Sequence, residues 1–456
     1  MGEVQNNVAL ERIKQLVDNG SFVELQSDVV ARSTDFSLCD KKEATDGVVT
    51  GYGLIDGRLV FLYAQNPDVL NGSLGEMHCR KIMEIYLQAV KIGAPVIGLI
   101  DCSGFRLQES TDALEGFGDV LMALQDAGGS VPLFTMIYGN CGGGLTLIPA
   151  MSDFNFIVKN EGRLFVNSPN TLENNYREKM DTSSGEYQSL YSGVVDEVLS
   201  AEEIRSKIAL LLQILPANNT EGCVMGDTTD DLNRVINDMN ETNYDVDVLV
   251  NNIADNYLFV ETKKDFATDM LTGFIRLNGT TVGVVANRRE CMSTMGMDKA
   301  TGFIRFCDGY DIPLLTLSDA VRFETTASEE KTLARSMAAM TSAMIDAEVP
   351  KVCLIPRQAY GTPYLMMNAK SLGADFVYAW PNAQIGAMKG QLASKVLKNV
   401  SATEYDETHN SAVAQARRGY IHKLVDPQDT RKYLLSAFDL LYTKNKSVAF
   451  KKNSLR

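Results

Sequence analysis

The sequence predicts an α/β fold made of two tandem copies of one unit, each of about 220 residues. Three observations predict it. Apolar runs of strand length alternate with helix-period segments along most of the chain. Glycine-containing turns close several of these runs, which is where α/β folds gather their sites. The same order of elements recurs at a nearly constant offset, with Asn278-Gly279 standing 222 positions after Asp56-Gly57.

Residues 8–25 open with an amphipathic helix, Leu10-Glu11-Arg12-Ile13-Lys14-Gln15-Leu16-Val17, closed by Asn19-Gly20. Residues 48–55 read as a strand, Asp56-Gly57 as a hairpin turn and 59–64 as the returning strand. A helix is expected over 76–92, with Ile82, Ile85, Tyr86, Ala89 and Val90 on its apolar face. Residues 95–101 form a buried strand ending in Cys102-Ser103-Gly104-Phe105-Arg106, and 131–136 form another. The latter runs into Ile137-Tyr138-Gly139-Asn140-Cys141-Gly142-Gly143-Gly144 and then a helical pattern over 145–151.

In the second half, 273–282 repeats the hairpin, 312–319 the strand ending at Asp101, and 349–355 the strand before the glycines. Residues 374–378 match 152–156, and 419–426 match 193–200. The acidic stretch 216–247 interrupts the periodicity and is expected to be a surface linker. It gives domains 1–225 and 226–456. The polar segment 400–408 is expected to be a mobile loop.

A net charge of −15 and a pI near 4.8 argue against nucleic acid as partner. No apolar run approaches the ~20 residues that span a bilayer. The N-terminus lacks a signal-peptide pattern, so the expected location is cytoplasmic. The eight cysteines include no Cys-x-x-Cys pair, which excludes a zinc ribbon by spacing and leaves buried thiols. Only His78, His409 and His422 are present, and no Gly-x-Ser-x-Gly or Ser-x-x-Lys motif occurs. Histidine-driven nucleophilic catalysis has little to draw on.

A strand that turns into a helix through three glycines presents backbone N–H groups to a negative charge: a phosphate, a carboxylate or the enolate of a thioester. Without a Gly-Lys-Ser/Thr ending a nucleotide P-loop does not fit. The competing interpretation is that the glycines only permit close strand–helix packing. Two turns per unit, 102–106 and 141–144, can each contribute one N–H to a shared oxyanion.

These residues resemble the biotin-dependent carboxyltransferase family, the acyl-CoA carboxylase β subunits and sodium-pumping decarboxylase α subunits. The N-terminal match lies in 46–53, 93–99, Cys141–Gly144 and Gly72-Ser73-Leu74-Gly75-Glu76-Met77-His78. The C-terminal match lies in 305–308, 312–317, 373–381 and Arg418-Gly419-Tyr420. The resemblance implies tandem crotonase-like (ClpP/crotonase) ββα-spiral domains. It implies acyl-CoA as substrate on the N-terminal half and biotin, carried on a separate protein, on the C-terminal half. It also implies partners: a biotin carboxyl carrier protein and biotin carboxylase or decarboxylase subunits. A homodimer or trimer of dimers follows, with the halves meeting across the dimer, or a hetero-oligomer with a paralogue. No metal is expected in this chain.

By the same resemblance Gly143 and Gly144 hold the thioester oxygen. Gly104, Phe105, Gly142, Ser73 and Leu74 line the substrate, with Phe105, where the family has a small residue, narrowing the acyl pocket. Tyr360, Gly361 and Thr362 form the biotin side. Three departures fall there: Pro363 replaces the alanine that follows the family's glycine pair, Asp319-Ala320-Val321-Arg322-Phe323 loses a Pro-Gly, and Lys389-Gly390-Gln391-Leu392 diverges. Proline has no N–H, so Pro363 is expected to delete an oxyanion donor. An active carboxyltransferase is one expectation, and a degenerate acyl-CoA-binding or scaffolding subunit is the alternative. A third is biotin-independent acyl-CoA chemistry with Glu109 as acid/base.

Overall fold

The computed structural model describes residues 7–33, 35–36, 44–173, 175–222, 224–237, 239–240 and 242–444. The chain divides into two compact units, Met1–Glu221 and Gly222–Arg456.

Unit 1 is built on eight strands: β1 Val23–Leu25, β2 Val48–Ile55, β3 Arg58–Gln65, β4 Val96–Cys102, β5 Leu133–Gly142, β6 Phe154–Val158, β7 Arg163–Phe165 and β8 Glu197–Leu199. Their order is β1-β2-β3-β4-β5-β6-β8, with β7 pairing the end of β5. The β2–β3 hairpin turns at Asp56 (φ 46°) and Gly57 (φ 77°), the doubly positive pair that matches strand twist. From β3 to β8 the neighbours are parallel. The helix Glu76–Ile92 crosses over between β3 and β4, burying Ile82, Ile85, Tyr86 and Ala89. It stops at left-handed Gly93. Val90, expected on the buried face, is 37% exposed.

Unit 2 repeats the plan with β9 Phe259–Thr262, β10 Met270–Leu277, β11 Thr280–Asn287, β12 Cys291–Met292, β13 Leu314–Leu317, β14 Arg322–Phe323, β15 Lys351–Ile355, β16 Gln358–Tyr360, β17 Phe376–Ala379, β18 Gln384–Gly386 and β19 Lys423–Leu424. The main sheet runs β19-β17-β15-β13-β11-β10-β9, while β12–β14 and β16–β18 form two small parallel pairs.

The duplication extends to single hydrogen bonds. The Gln65 carboxamide accepts from Asp101 N at 3.1 Å, and Asn287 accepts from Asp319 N at 2.8 Å. Asp153 accepts from Leu133 N and Asp375 from Lys351 N, both at 2.8 Å. Glu109 accepts from Glu76 N and Glu329 from Thr294 N, both at 2.6 Å. Lys81 and Lys299 each donate into backbone carbonyls.

Three sequence expectations are corrected. Cys141 and Gly142, expected to belong to the turn 141–144, are strand, because β7 pairs with Asn140, Cys141 and Gly142 and keeps them extended. Unit 2 breaks the same strand into β15 and β16 at Pro356, which has no N–H for the ladder. Residues 400–408, expected to be a mobile loop, include the helix Ala402–Tyr405 and a π-turn, Asp406–Asn410, with Ser401 capping Glu404 N. The described part of 224–245, expected to be a linker, packs into unit 2: Ile236 is 1% exposed, and Arg234 pairs with Asp230 and donates to Asn252 O.

Six cysteines are buried free thiols; Cys39 and Cys223 lie outside the described residues. Among the described residues no helix is long and apolar enough to cross a membrane.

Candidate active site

In unit 1 the strand β5 ends at Gly142 and the chain enters a 3-10 turn, Gly143–Thr146, followed by the helix Leu147–Met151. Gly143 has φ 61° and Gly142 is pressed against Phe165, whose ring would stand 2.8 Å from any Cβ there. These glycines are therefore required by both conformation and close approach. No side chain caps the turn, so the leading N–H groups of Gly143 and Gly144 have no intrahelical acceptor. Gly144 is exposed, and a Cβ on Gly143 would meet nothing within 4 Å. A side chain at Gly143 would project into open space.

The second turn lies beside the first. Cys102 and Cys141 are register partners across β4 and β5, and a Cβ on Gly144 would stand 3.8 Å from the Phe105 ring. Leu74 N donates to Gly104 O at 2.9 Å and Arg106 N donates to Leu74 O at 2.8 Å. These two bonds flank Phe105 and turn its own N–H to the opposite side of the bridge. Gly104, at φ 113°, leaves open space where a side chain would project. The structure thus brings together Gly104, Phe105, Gly142, Gly143 and Gly144. Ser73 and Leu74 are buried and support the turn, Ser73 through its carbonyl, which accepts from Arg106 Nη2 at 3.1 Å.

Beneath the turn is an ionic cluster that sequence reasoning did not assemble. Arg106 is 1% exposed and its Nη1 bonds Asp46 Oδ1 at 2.7 Å and Glu109 Oε1 at 2.8 Å. Burial raises the Asp46 carboxyl, and Arg106 pulls it back. His78 donates its backbone N–H to Asp46 Oδ2 and pairs Nδ1 with Asp46 O, both at 3.0 Å. Burial pushes its ring down to about 3, with the Arg106 charge second. Glu109, the acid/base of the biotin-independent alternative, is fixed to Arg106 and to Glu76 N. The cluster positions the turn and offers no free base.

In unit 2 the corresponding strand end is Tyr360, and the chain turns into the helix Gly361–Met366. Gly361 has φ 59°, close to Gly143. The pairing of β16 with β18 repeats that of β5 with β7, so Gly361 and Thr362 correspond to Gly143 and Gly144. Pro363 falls one residue later, at the place of buried Leu145. The expectation that Pro363 deletes a donor of this pair is corrected: Gly361 and Thr362 both keep their N–H. They line a cavity of 620 Å³ with Tyr364, Gly386, Asn410 and Arg418 among its other walls. Tyr360 is 5% exposed, burial raises its phenol to about 12, and Lys389 Nζ lies 6.0 Å from its ring. The divergent Asp319–Phe323 segment is held by Arg357 on Asp319 and by β14 pairing with β12.

The chain matches the carboxyl transferase domain over residues 4–455. It is 36% identical to the propionyl-CoA carboxylase beta chain of Roseobacter denitrificans, over 98% of this chain and 92% of that one. It is 35% identical, with the same coverage, to the methylmalonyl-CoA decarboxylase subunit alpha of Veillonella parvula. A transcarboxylase 12S structure with hydrolysed methylmalonyl-coenzyme A bound superposes with a TM-score of 0.92 at 33% identity, covering 98% of this chain and 91% of that one. The carboxyltransferase and crotonase-like expectations stand, and no observation favours the degenerate alternative. Two glycine turns of matching build, the intact N–H pairs and a match that runs almost end to end have one explanation: the chain belongs to the carboxyl transferase family.

Proposed function

We propose that this enzyme moves a carboxyl group between biotin, borne by a separate carrier protein, and a short acyl-CoA of the propionyl or methylmalonyl class. One observation carries the proposal: the uncapped N–H groups of Gly143 and Gly144 stand beside the Phe105 turn, a two-sided donor set for a thioester oxygen. The Gly143, Gly144 and Phe105 amides would bind the carbonyl oxygen of the thioester and stabilise it as negative charge develops during loss or gain of the α-proton. Phe105 and Phe117, edge to face at 5.4 Å, would border the acyl chain. Arg106 and Asp46 keep the turn in place without entering the reaction.

In unit 2, Gly361 and Thr362 would hold the ureido oxygen of biotin. The cavity they line, bounded also by Tyr364 and Gly386, is large enough for a compact bicyclic ring. Biotin, when bound, supplies the transferable carboxyl group and a basic ureido nitrogen, so the exchange calls for no separate protein base. The names of the relatives support the substrate class and the transcarboxylase hexamer supports an oligomer. We place the enzyme in the cytoplasm, in a dimer or a trimer of dimers, working with a carrier protein and a biotin carboxylase or a decarboxylase complex.

The test is transfer of label from carboxyl-labelled methylmalonyl-CoA to free biotin. Carboxybiotin formation dependent on both compounds is expected. Consumption of the acyl-CoA at the same rate without biotin would overturn the proposal in favour of biotin-independent chemistry. Acyl-CoA binding without any transfer would favour a scaffolding subunit.

A further inference from the structure

Lys81 has no part in the exchange chemistry above, yet it is a charge buried in the core of unit 1. It projects from the helix Glu76–Ile92, and its Nζ donates to Thr45 O at 3.1 Å and to Val48 O at 2.5 Å. The backbone between those carbonyls is left-handed three times running, at Thr45 (φ 69°), Asp46 (φ 47°) and Gly47 (φ 77°). Two of the three carry a Cβ, so the chain does not take this path unaided. The same helix adds a second hold, because His78 N donates to Asp46 Oδ2 and His78 Nδ1 pairs with Asp46 O. The bend connects outward through Asp46. Its Oδ1 accepts from Arg106 Nη1 at 2.7 Å, and its carbonyl accepts from Nη2 at 3.4 Å. Nη2 also reaches Ser73 O, and a Cβ on Gly75 would stand 2.4 Å from Nη1, so the guanidinium has no room to shift. Arg106 directly follows Phe105, and its own N–H is fixed to Leu74 O.

The duplication separates what is general in this arrangement from what is particular to the acyl side. In unit 2, 218 positions on, Lys299 and Glu324 stand where Lys81 and Arg106 do. Lys299 is also buried, and its Nζ donates to the carbonyls of Lys263, Phe266 and Met270 at 2.8–2.9 Å. Glu324 N donates to Met292 O at 3.0 Å, as Arg106 N does to Leu74 O at 2.8 Å. The backbone frame is therefore the same, but Asp269, beside the unit 2 bend, takes its bonds from Ser293. A carboxylate at 324 cannot pair with another carboxylate, so in unit 2 the lysine's hold ends at the bend. We propose that Lys81 is a positioning residue for the acyl site: it fixes the 45–48 bend, which sets Asp46 against Arg106, which sets the turn bearing the Phe105 N–H. The inference rests on the function proposed above, in which that N–H joins those of Gly143 and Gly144 on the thioester oxygen.

The experiment measures, by isothermal titration of the full-length protein, binding of propionyl-CoA and of its thioether analogue S-propyl-CoA, which lacks the carbonyl oxygen. The wild type should bind the thioester about tenfold more tightly, the worth of one hydrogen bond. In Lys81→Met the two ligands should bind within about twofold of each other, while Lys299→Met should keep the wild-type preference. The preference is a ratio within one folded sample, so a smaller folded fraction does not move it. A preference kept by Lys81→Met, or lost equally in Lys299→Met, overturns the assignment. Should Lys81→Met not fold, Asp46→Asn decides, since the tether passes through that carboxylate: a retained preference overturns it and a lost one supports it. Should the wild type itself not distinguish the two ligands, main-chain donors do not hold the acyl oxygen, and the function proposed above fails instead.

Discussion

Phe105 carries the proposed limit on substrate range. Its ring is held by Phe117 and lies against Gly144, so it takes volume that a smaller residue would leave to the acyl chain. Phe105→Ala should shift the ratio of kcat/KM for ethylmalonyl-CoA over methylmalonyl-CoA upward by about tenfold, the worth of one methylene in an apolar pocket. An unchanged ratio would show that the ring does not wall the chain. His78 sets a pH limit instead. Its ring is wholly buried and held near 3 by burial, against an unfolded value near 6.5. Its contribution to stability is complete above pH 6.5 and is lost progressively as pH falls toward 3, because the unfolded chain binds the proton first. Between pH 7 and 5 the wild type should lose roughly 2 kcal/mol more than His78→Gln, read from urea midpoints. Equal losses would place the titration elsewhere. The glycines and Phe105 were legible in the sequence because their types are unusual at strand ends. The Arg106–Asp46–Glu109 cluster was not, because only tertiary packing brings its members together.

At the scale of elements, the strand-to-helix turn carries the proposed chemistry. Gly144→Pro removes one N–H at a position early in a helix where proline is tolerated. Loss of that donor should lower kcat for carboxyl transfer about 10²–10³-fold, with little change in the far-ultraviolet circular dichroism. Retained activity would exclude Gly144 as a donor. Both hairpins were legible, since Asp-Gly and Asn-Gly demand positive φ at adjacent residues. That β5 includes Cys141 and Gly142 was not legible: β7, some twenty residues further on, pairs with them. The helix at 402–405 did carry its signal, Ser401 three residues before Glu404, but polar composition masked it.

For the molecule as a whole, the repeat was the most readable feature, and the structure carries it down to paired side-chain bonds. Each unit buries its own core: Ile82, Ile85 and Phe117 in the first, Leu249, Leu315 and Trp380 in the second. Ile85→Ala should cost about 2–5 kcal/mol, and hydrogen exchange should rise across the strands of unit 1 while unit 2 keeps its protection. A rise in both would show that they unfold as one. The two hairpin turns share a further detail. Gly57 N donates to Asp18 Oδ2 at 2.9 Å, and Gly279 N donates to Asp255 Oδ2 at 2.7 Å. Asp-Gly and Asn-Gly are the dipeptides at which proteins age, when the glycine nitrogen attacks the preceding side-chain carbonyl and closes a succinimide. Here each nitrogen is already committed to a carboxylate, so both hairpin turns are guarded against isoaspartate formation.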